Sequence, residues 1–216
     1  GVRGIPGSLH LPERHRVFAR DGGRNPPGAF LELQLQGSPR PRAGGADRRQ
    51  ARQPRADQRR RYLQGGLHLV EGRVGNLAID IDVEAFGRKS RVEVTSKVYG
   101  KYDDFCQVRD IVRLTGAESS ALIKARVVLK DRSQGKFLGL VDGGAPGARG
   151  HVDCTEVVQG EAKAVASPVV QASHPEAEVT HEAAIGRIAD DKIQGLMAKG
   201  LSTDDAIDFV VSGLLR

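Results

Sequence analysis

Two thiols and a few imidazoles are the side chains of this 216-residue chain best suited to hold a metal or act as nucleophiles. Cys106 and Cys154 stand 48 residues apart with no CxxC spacing. That spacing argues against a disulfide framework and against an all-protein zinc site, and it fits a reducing cytosol. Cys154 lies in HVDCTEV, where it alternates with Val152 as strand residues do. It therefore reads equally as a reactive thiol or as a buried one, because free cysteine behaves as a small hydrophobe. His151 precedes it by three positions, which places the two on opposite strand faces and argues against a shared metal. His181 and Glu182 are adjacent and so also face opposite ways. Cys106, after an aromatic in YDDFCQV, reads as core, and His174, in SHPE, as a turn residue. The glycine-rich GGAPGARG (Gly143–Gly150) lacks the Lys-Ser/Thr of a phosphate-binding loop, so it reads as a sharp connection between strands.

The charge is unevenly distributed. The formal net charge is +6, but residues 1–61 contain 14 Arg, no Lys and five acids, which gives +9. The remaining 155 residues carry 19 basic and 22 acidic side chains, a net −3. Within 38–61, SPRPRAGGADRRQARQPRADQRRR offers almost no apolar surface to offset the entropy of ordering a backbone, about 1–2 kcal/mol per residue. Disorder is expected there. The segment reads as an arginine-rich arm for phosphates, as a solvated tail, or as GC-rich codons read out of frame. His10 and His15 fall in the same doubtful stretch. Aromatic residues make up 4% of the chain, which weakens any single-strand nucleic-acid platform built on stacking. No run of 18 apolar residues is present, and the first twenty residues lack the apolar stretch of a secretory signal.

From Leu67 the texture is that of strands. Asn76–Phe86 alternates, with Leu77, Ile79, Ile81 and Val83 on one face and Asp80, Asp82 and Glu84 on the other. Arg91–Tyr99, Gln107–Leu114, Ala121–Leu129, Lys136–Val141, Val152–Val158 and Ala164–Ala172 follow, separated by turn residues. Short strands without long intervening helices leave sandwich, barrel and solenoid open. Asp190–Lys199 and Thr203–Leu215 have helical spacing, with Gly200 suited to a left-handed cap and Ser202–Asp205 resembling a capping box. Their apolar stripe serves either to pack on the chain's own sheet or to dock another protein.

Two stretches carry a more specific signal: GGAPGARGHVDCTEVVQGEAKA (Gly143–Ala164) and PVVQASHPEAEVTHEAAIGRIADDKIQGLMAKGLSTDDAIDFVVSGLL (Pro168–Leu215). They resemble the SufB/SufD family of iron–sulfur cluster assembly proteins over about residues 67–216, and residues 1–65 do not share the resemblance. It implies a mainly β fold, a right-handed parallel β-helix over 66–175, followed by a C-terminal α-helical hairpin region over 176–216. Family members continue with strands upstream, which favours truncation or a frame error in 1–65. The resemblance further implies a non-catalytic, cytoplasmic scaffold that forms a homodimer or a SufB/SufD-type heterodimer. Its partner would be a SufC-like ABC-type ATPase that hydrolyses the ATP, with a sulfur donor supplying it and apo-proteins as acceptors. The iron–sulfur cluster would be transient cargo. Cys154, His181 and Glu182 align with the family's cluster-assembly residues, and Ile193, Leu196, Met197, Ile207, Val210 and Val211 would dock the ATPase. The alternative is a nucleic-acid-binding protein using the Arg-rich arm.

Overall fold

A computed structural model describes residues 14–21, 30–36, 62–70 and 75–215. The segment 38–61, for which disorder is expected, lies outside these residues. Eleven strands and two helices occur among them. Eight successive strands alternate between two sheets: β4 (Asn76–Ala85), β5 (Arg91–Gly100), β6 (Phe105–Leu114), β7 (Ser120–Leu129), β8 (Gln134–Gly143), β9 (Arg149–Val158), β10 (Lys163–Ala172) and β11 (Glu178–Gly186). The even-numbered strands form one sheet and the odd-numbered ones the other, all parallel to their neighbours. This is a parallel β-helix of about four turns with two helices at its C-terminal end. β3 (Tyr62–Leu69) begins the second sheet. Antiparallel strands β1 (Arg14–Asp21) and β2 (Phe30–Gln36) pair with β4 and β3.

The coil length is constant. Asn76 pairs with Phe105, Phe105 with Gln134 and Gln134 with Lys163; Arg91, Ser120, Arg149 and Glu178 follow the same step of 29 residues. The corners repeat with it. Lys89, Glu118 and Gly147 share one corner position, and Tyr102, Asp131 and Gly160 share another, all with positive φ between 56° and 68°. After the first of these positions a small residue turns inward: Ser90 Oγ donates to Gly87 O at 2.8 Å and Ser119 Oγ to Gly116 O at 2.6 Å. In these two corners the serine satisfies the corner's own carbonyl, whereas after Gly147 only the backbone N–H of Ala148 reaches the Ala145 carbonyl, at 3.1 Å. A Cβ at Gly116 would stand inside contact distance of the Gly87 carbonyl of the coil below, so the stacking of corners itself requires glycine there.

Period-2 alternation sends every second side chain into the lumen. Rows such as Val94–Ile123–Val152 and Ile79–Val108–Phe137 stack at 5% exposure or less. Full burial of such a side chain stabilises the fold by roughly 1.5–3 kcal/mol relative to exposure. β11 lies beyond the expected end of the core at 175. Its sequence, EVTHEAAIG, is exposed along most of its length, so it lacks the apolar alternation by which the other strands announce themselves.

The helices, α1 (Asp190–Met197) and α2 (Thr203–Leu214), cover the outer side of the second sheet. Ile193, Ala206, Ile207 and Val211 pack there with Tyr99, Val128 and Ile188. The Tyr99 hydroxyl donates to Asp208, and Lys130 Nζ lies 2.6 Å from Asp204 Oδ1. Gly200 has φ +97°, and Leu201 and Gly200 N–H groups donate to Leu196 and Met197 carbonyls, the bond pair of a Schellman stop. Ser202 Oγ accepts from Asp205 N at 3.1 Å and caps α2. No helix among the described residues is long and apolar enough to cross a membrane.

Candidate functional site

Cys154 sits at the centre of β9, in the row Ser96–Ala125–Cys154–Ala183. Its neighbours in the row are small, and the thiol points into the lumen with 1% exposure. Glu156, two residues on, shares that face and is also 1% exposed. Cys154 Sγ lies 4.0 Å from Glu156 Oε1. Across the lumen Asp110, fully buried on β6, accepts from Ser96 Oγ at 2.8 Å. The second oxygens of these two acids, Glu156 Oε2 and Asp110 Oδ1, have no hydrogen-bond partner among the described residues.

Burial dominates the acid–base behaviour of this cluster by disfavouring every charged form. It pushes Glu156 up to about 7. It likewise raises Asp110 to about 7, against the opposing hydrogen bond from Ser96. The Cys154 thiol is driven up to about 12, by burial first and by the Glu156 charge next, with Arg126 opposing. Cys106, the expected core thiol, is 3% exposed and also raised to about 12 by burial. Cys154 is therefore a protonated thiol, and a nucleophile or metal ligand only once a cation displaces its proton.

The outer face of the same sheet is of different character. Arg126 grips Asp153 through Nη1–Oδ1 at 2.8 Å and Nη2–Oδ2 at 2.6 Å. The bond with Asp153 raises Arg126, and the same bond holds the Asp153 carboxyl below its usual range. Glu182 pairs in register with Asp153, so it lies on this outer side, where its charge also reaches Arg126. His151 is on the outer face too, with Nδ1 2.8 Å from Thr180 Oγ1. His174 Nδ1 accepts from Glu176 N at 3.1 Å within its turn.

His181 pairs in register with Val152 and so stands on the lumenal side of β11, diagonal to Cys154. Strand geometry sets that diagonal at about 8 Å. Of the three aligned residues, Cys154 and His181 share a side and Glu182 takes the other. Among the described residues no group of three or more His, Cys, Asp or Glu side chains is close enough to hold a metal ion. Glu156 and Asp110 were not among the candidates from sequence, although the parity of CTE and of VRDIV places both on lumenal positions.

The helical stripe is divided. Ile193, Ile207 and Val211 are buried against the chain's own sheet, Leu196 and Val210 are half-buried, and Met197 is exposed, as are Phe209 and Leu214. Leu196, Phe209, Val210, Lys192 and Lys199 line a shallow cavity of about 460 Å³ between the helices.

Comparison with known proteins gives this geometry its family. Residues 65–214 match the family described as SUF system FeS cluster assembly, SufBD core domain. The chain belongs to the SufBD family. It is 34% identical over 158 residues to an iron–sulfur cluster assembly SufBD family protein of Methanocaldococcus jannaschii, which covers 70% of this chain and 49% of the relative. A SufBD family protein of Pyrococcus horikoshii is 35% identical over 151 residues, 70% of this chain and 46% of the relative. One from Archaeoglobus fulgidus is 39% identical over 106 residues, 48% of this chain and 28% of the relative. The chain spans about half the length of the first two.

Proposed function

We propose that the chain is a non-catalytic scaffold on which an iron–sulfur cluster is built and then released. Cys154 supplies a thiolate, and His181 and Glu182 on the last strand assist from the two sides of the sheet. The observation that carries this reading is the position of Cys154: a lumenal thiol one coil below an end of the β-helix that nothing among the described residues covers. Thiolate, imidazole and carboxylate are donors from which a cluster can be both assembled and passed on.

The scaffold works as a dimer, with itself or with a SufB/SufD-type partner. At one end, β1 and β2 pair with β4 and β3; at the other, β10 and β11 present edges that are free among the described residues. Val165, Val169 and Ile185 on those strands are 51%, 39% and 56% exposed. Free edges with apolar side chains favour pairing with a second chain. A SufC-like ABC-type ATPase docks on the helices, where Met197, Phe209 and Leu214 extend the stripe of Ile193, Leu196, Ile207, Val210 and Val211 to the surface. A sulfur donor and apo-protein acceptors complete the cycle, in the cytoplasm, where both free thiols stay reduced.

Anaerobic reconstitution with iron and sulfide tests the scaffold. Cys154→Ala is expected to lose most of the labile iron and sulfide, and Cys106→Ala to retain it. Equal loading of Cys154→Ala and wild type would sink the assignment. Deletion of 189–216 is expected to abolish capture of the ATPase, and unchanged capture would refute the docking role.

A further inference from the structure

The pleat of β9 makes a distinction that distance along the chain does not. Glu182 is the carboxylate aligned with the family, but it shares the outer face with Asp153 and Arg126. Glu156 shares the lumenal face with Cys154, its Oε1 4.0 Å from the sulfur. Its other oxygen is buried and has no hydrogen-bond partner among the described residues. Buried polar atoms are paired in the great majority of cases, so an orphan beside a thiol points to a ligand.

The lumen also selects the sign of that ligand. From β4 to β11, no Lys or Arg occupies a lumenal position; the basic residues of these strands alternate onto the outer faces. Apart from His181 on the last strand, no side chain of these strands can neutralise a thiolate or a carboxylate there, so a ligand that displaces their protons must itself be a cation.

We propose that Glu156 shares an incoming iron(II) ion with Cys154, as the carboxylate ligand of the first metal taken up. This inference rests on the assignment of Cys154 made above and adds the residue that completes the lumenal donor pair. On binding, the S–H and O–H bonds break, one Fe–S and one Fe–O bond form, and two protons leave to solvent. Two anionic donors facing one dication leave the centre neutral, which a low-dielectric interior tolerates far better than either ion alone. A soft sulfur with a hard oxygen suits iron(II), which both donor types bind. Among the described residues no third His, Cys, Asp or Glu joins the pair, so the remaining coordination positions fall to water, sulfide or the partner chain.

Anaerobic titration of the full chain with cobalt(II), a spectroscopic stand-in for iron(II), tests this without measuring assembly. Wild type is expected to show a thiolate-to-cobalt charge-transfer band. Glu156→Gln should weaken cobalt affinity at least tenfold, while the exposed Glu161→Gln leaves it unchanged. If Glu156→Gln binds as wild type does and Cys154→Ser abolishes the band, the role of Glu156 is overturned and that of Cys154 stands. If Cys154→Ser keeps the band, both are overturned. Should Glu156→Gln fail to fold, Glu156→Asp carries the same test, because its carboxylate is one methylene short. Weakened binding supports the proposal, and wild-type affinity overturns it.

Discussion

A carboxyl held in an apolar lumen makes stability depend on pH in the direction opposite to a salt-bridged acid. Asp110 is raised by burial from 3.8 to about 7, so the folded state binds its proton more tightly than the unfolded chain does. Its contribution is fully present below about pH 4 and is lost as pH rises towards 7 and above. Asp110→Asn keeps an acceptor for Ser96 and cannot ionise. Thermal unfolding should therefore show the variant gaining stability relative to wild type between pH 5 and pH 8; a constant difference across that range would contradict the buried charge. At this scale much of the site was legible. Alternation alone put His151 opposite Cys154 and split His181 from Glu182. The orphaned oxygens of Glu156 and Asp110 were not legible, because parity shows which way a side chain points but not whether a donor waits there.

Elements impose the next constraint, since each coil must lie flat on the one below. Gly116→Ala would drive a methyl group into the Gly87 carbonyl, and overpacking of this kind costs about 1–3 kcal/mol. A chemical-denaturation midpoint equal to wild type would show that the corners can spread. The helices are fastened by fewer bonds. Tyr99→Phe removes the hydroxyl that binds Asp208, a hydrogen bond to a charged group worth about 1.5–3 kcal/mol. Faster amide exchange in α2, with β5 unchanged, is the expected signature. Strands β4 to β10 could be read from their period of two, and the caps of both helices from Gly200 and Ser202. Parallel pairing could not, because a half-buried strand shows the same alternation whichever way its neighbour runs. The constant coil of 29 residues was present in the sequence, but as corner spacing among unlike residues: Lys89, Glu118 and Gly147 share a conformation and no chemistry.

For the whole molecule, the contrast between a +9 segment and a −3 body separates what the family covers from what it does not, since the match begins at residue 65. The two ends of the β-helix differ in a second way, strand-paired at one and, among the described residues, bare-edged at the other. If the bare end is the dimer surface, Val165→Asp with Ile185→Asp should leave the melting temperature nearly unchanged, because both side chains are already exposed. The same pair should halve the mass measured by light scattering; an unchanged dimer would move the interface elsewhere. The central claim is that Cys154 builds a cluster inside this coil. Its most direct test is the anaerobic absorbance of the chain purified together with the proposed SufC-like ATPase, read for sulfur-to-iron charge-transfer bands. Wild type is expected to show these bands and Cys154→Ala to lose them with the complex intact, whereas bands of equal strength in the variant would contradict a role for Cys154.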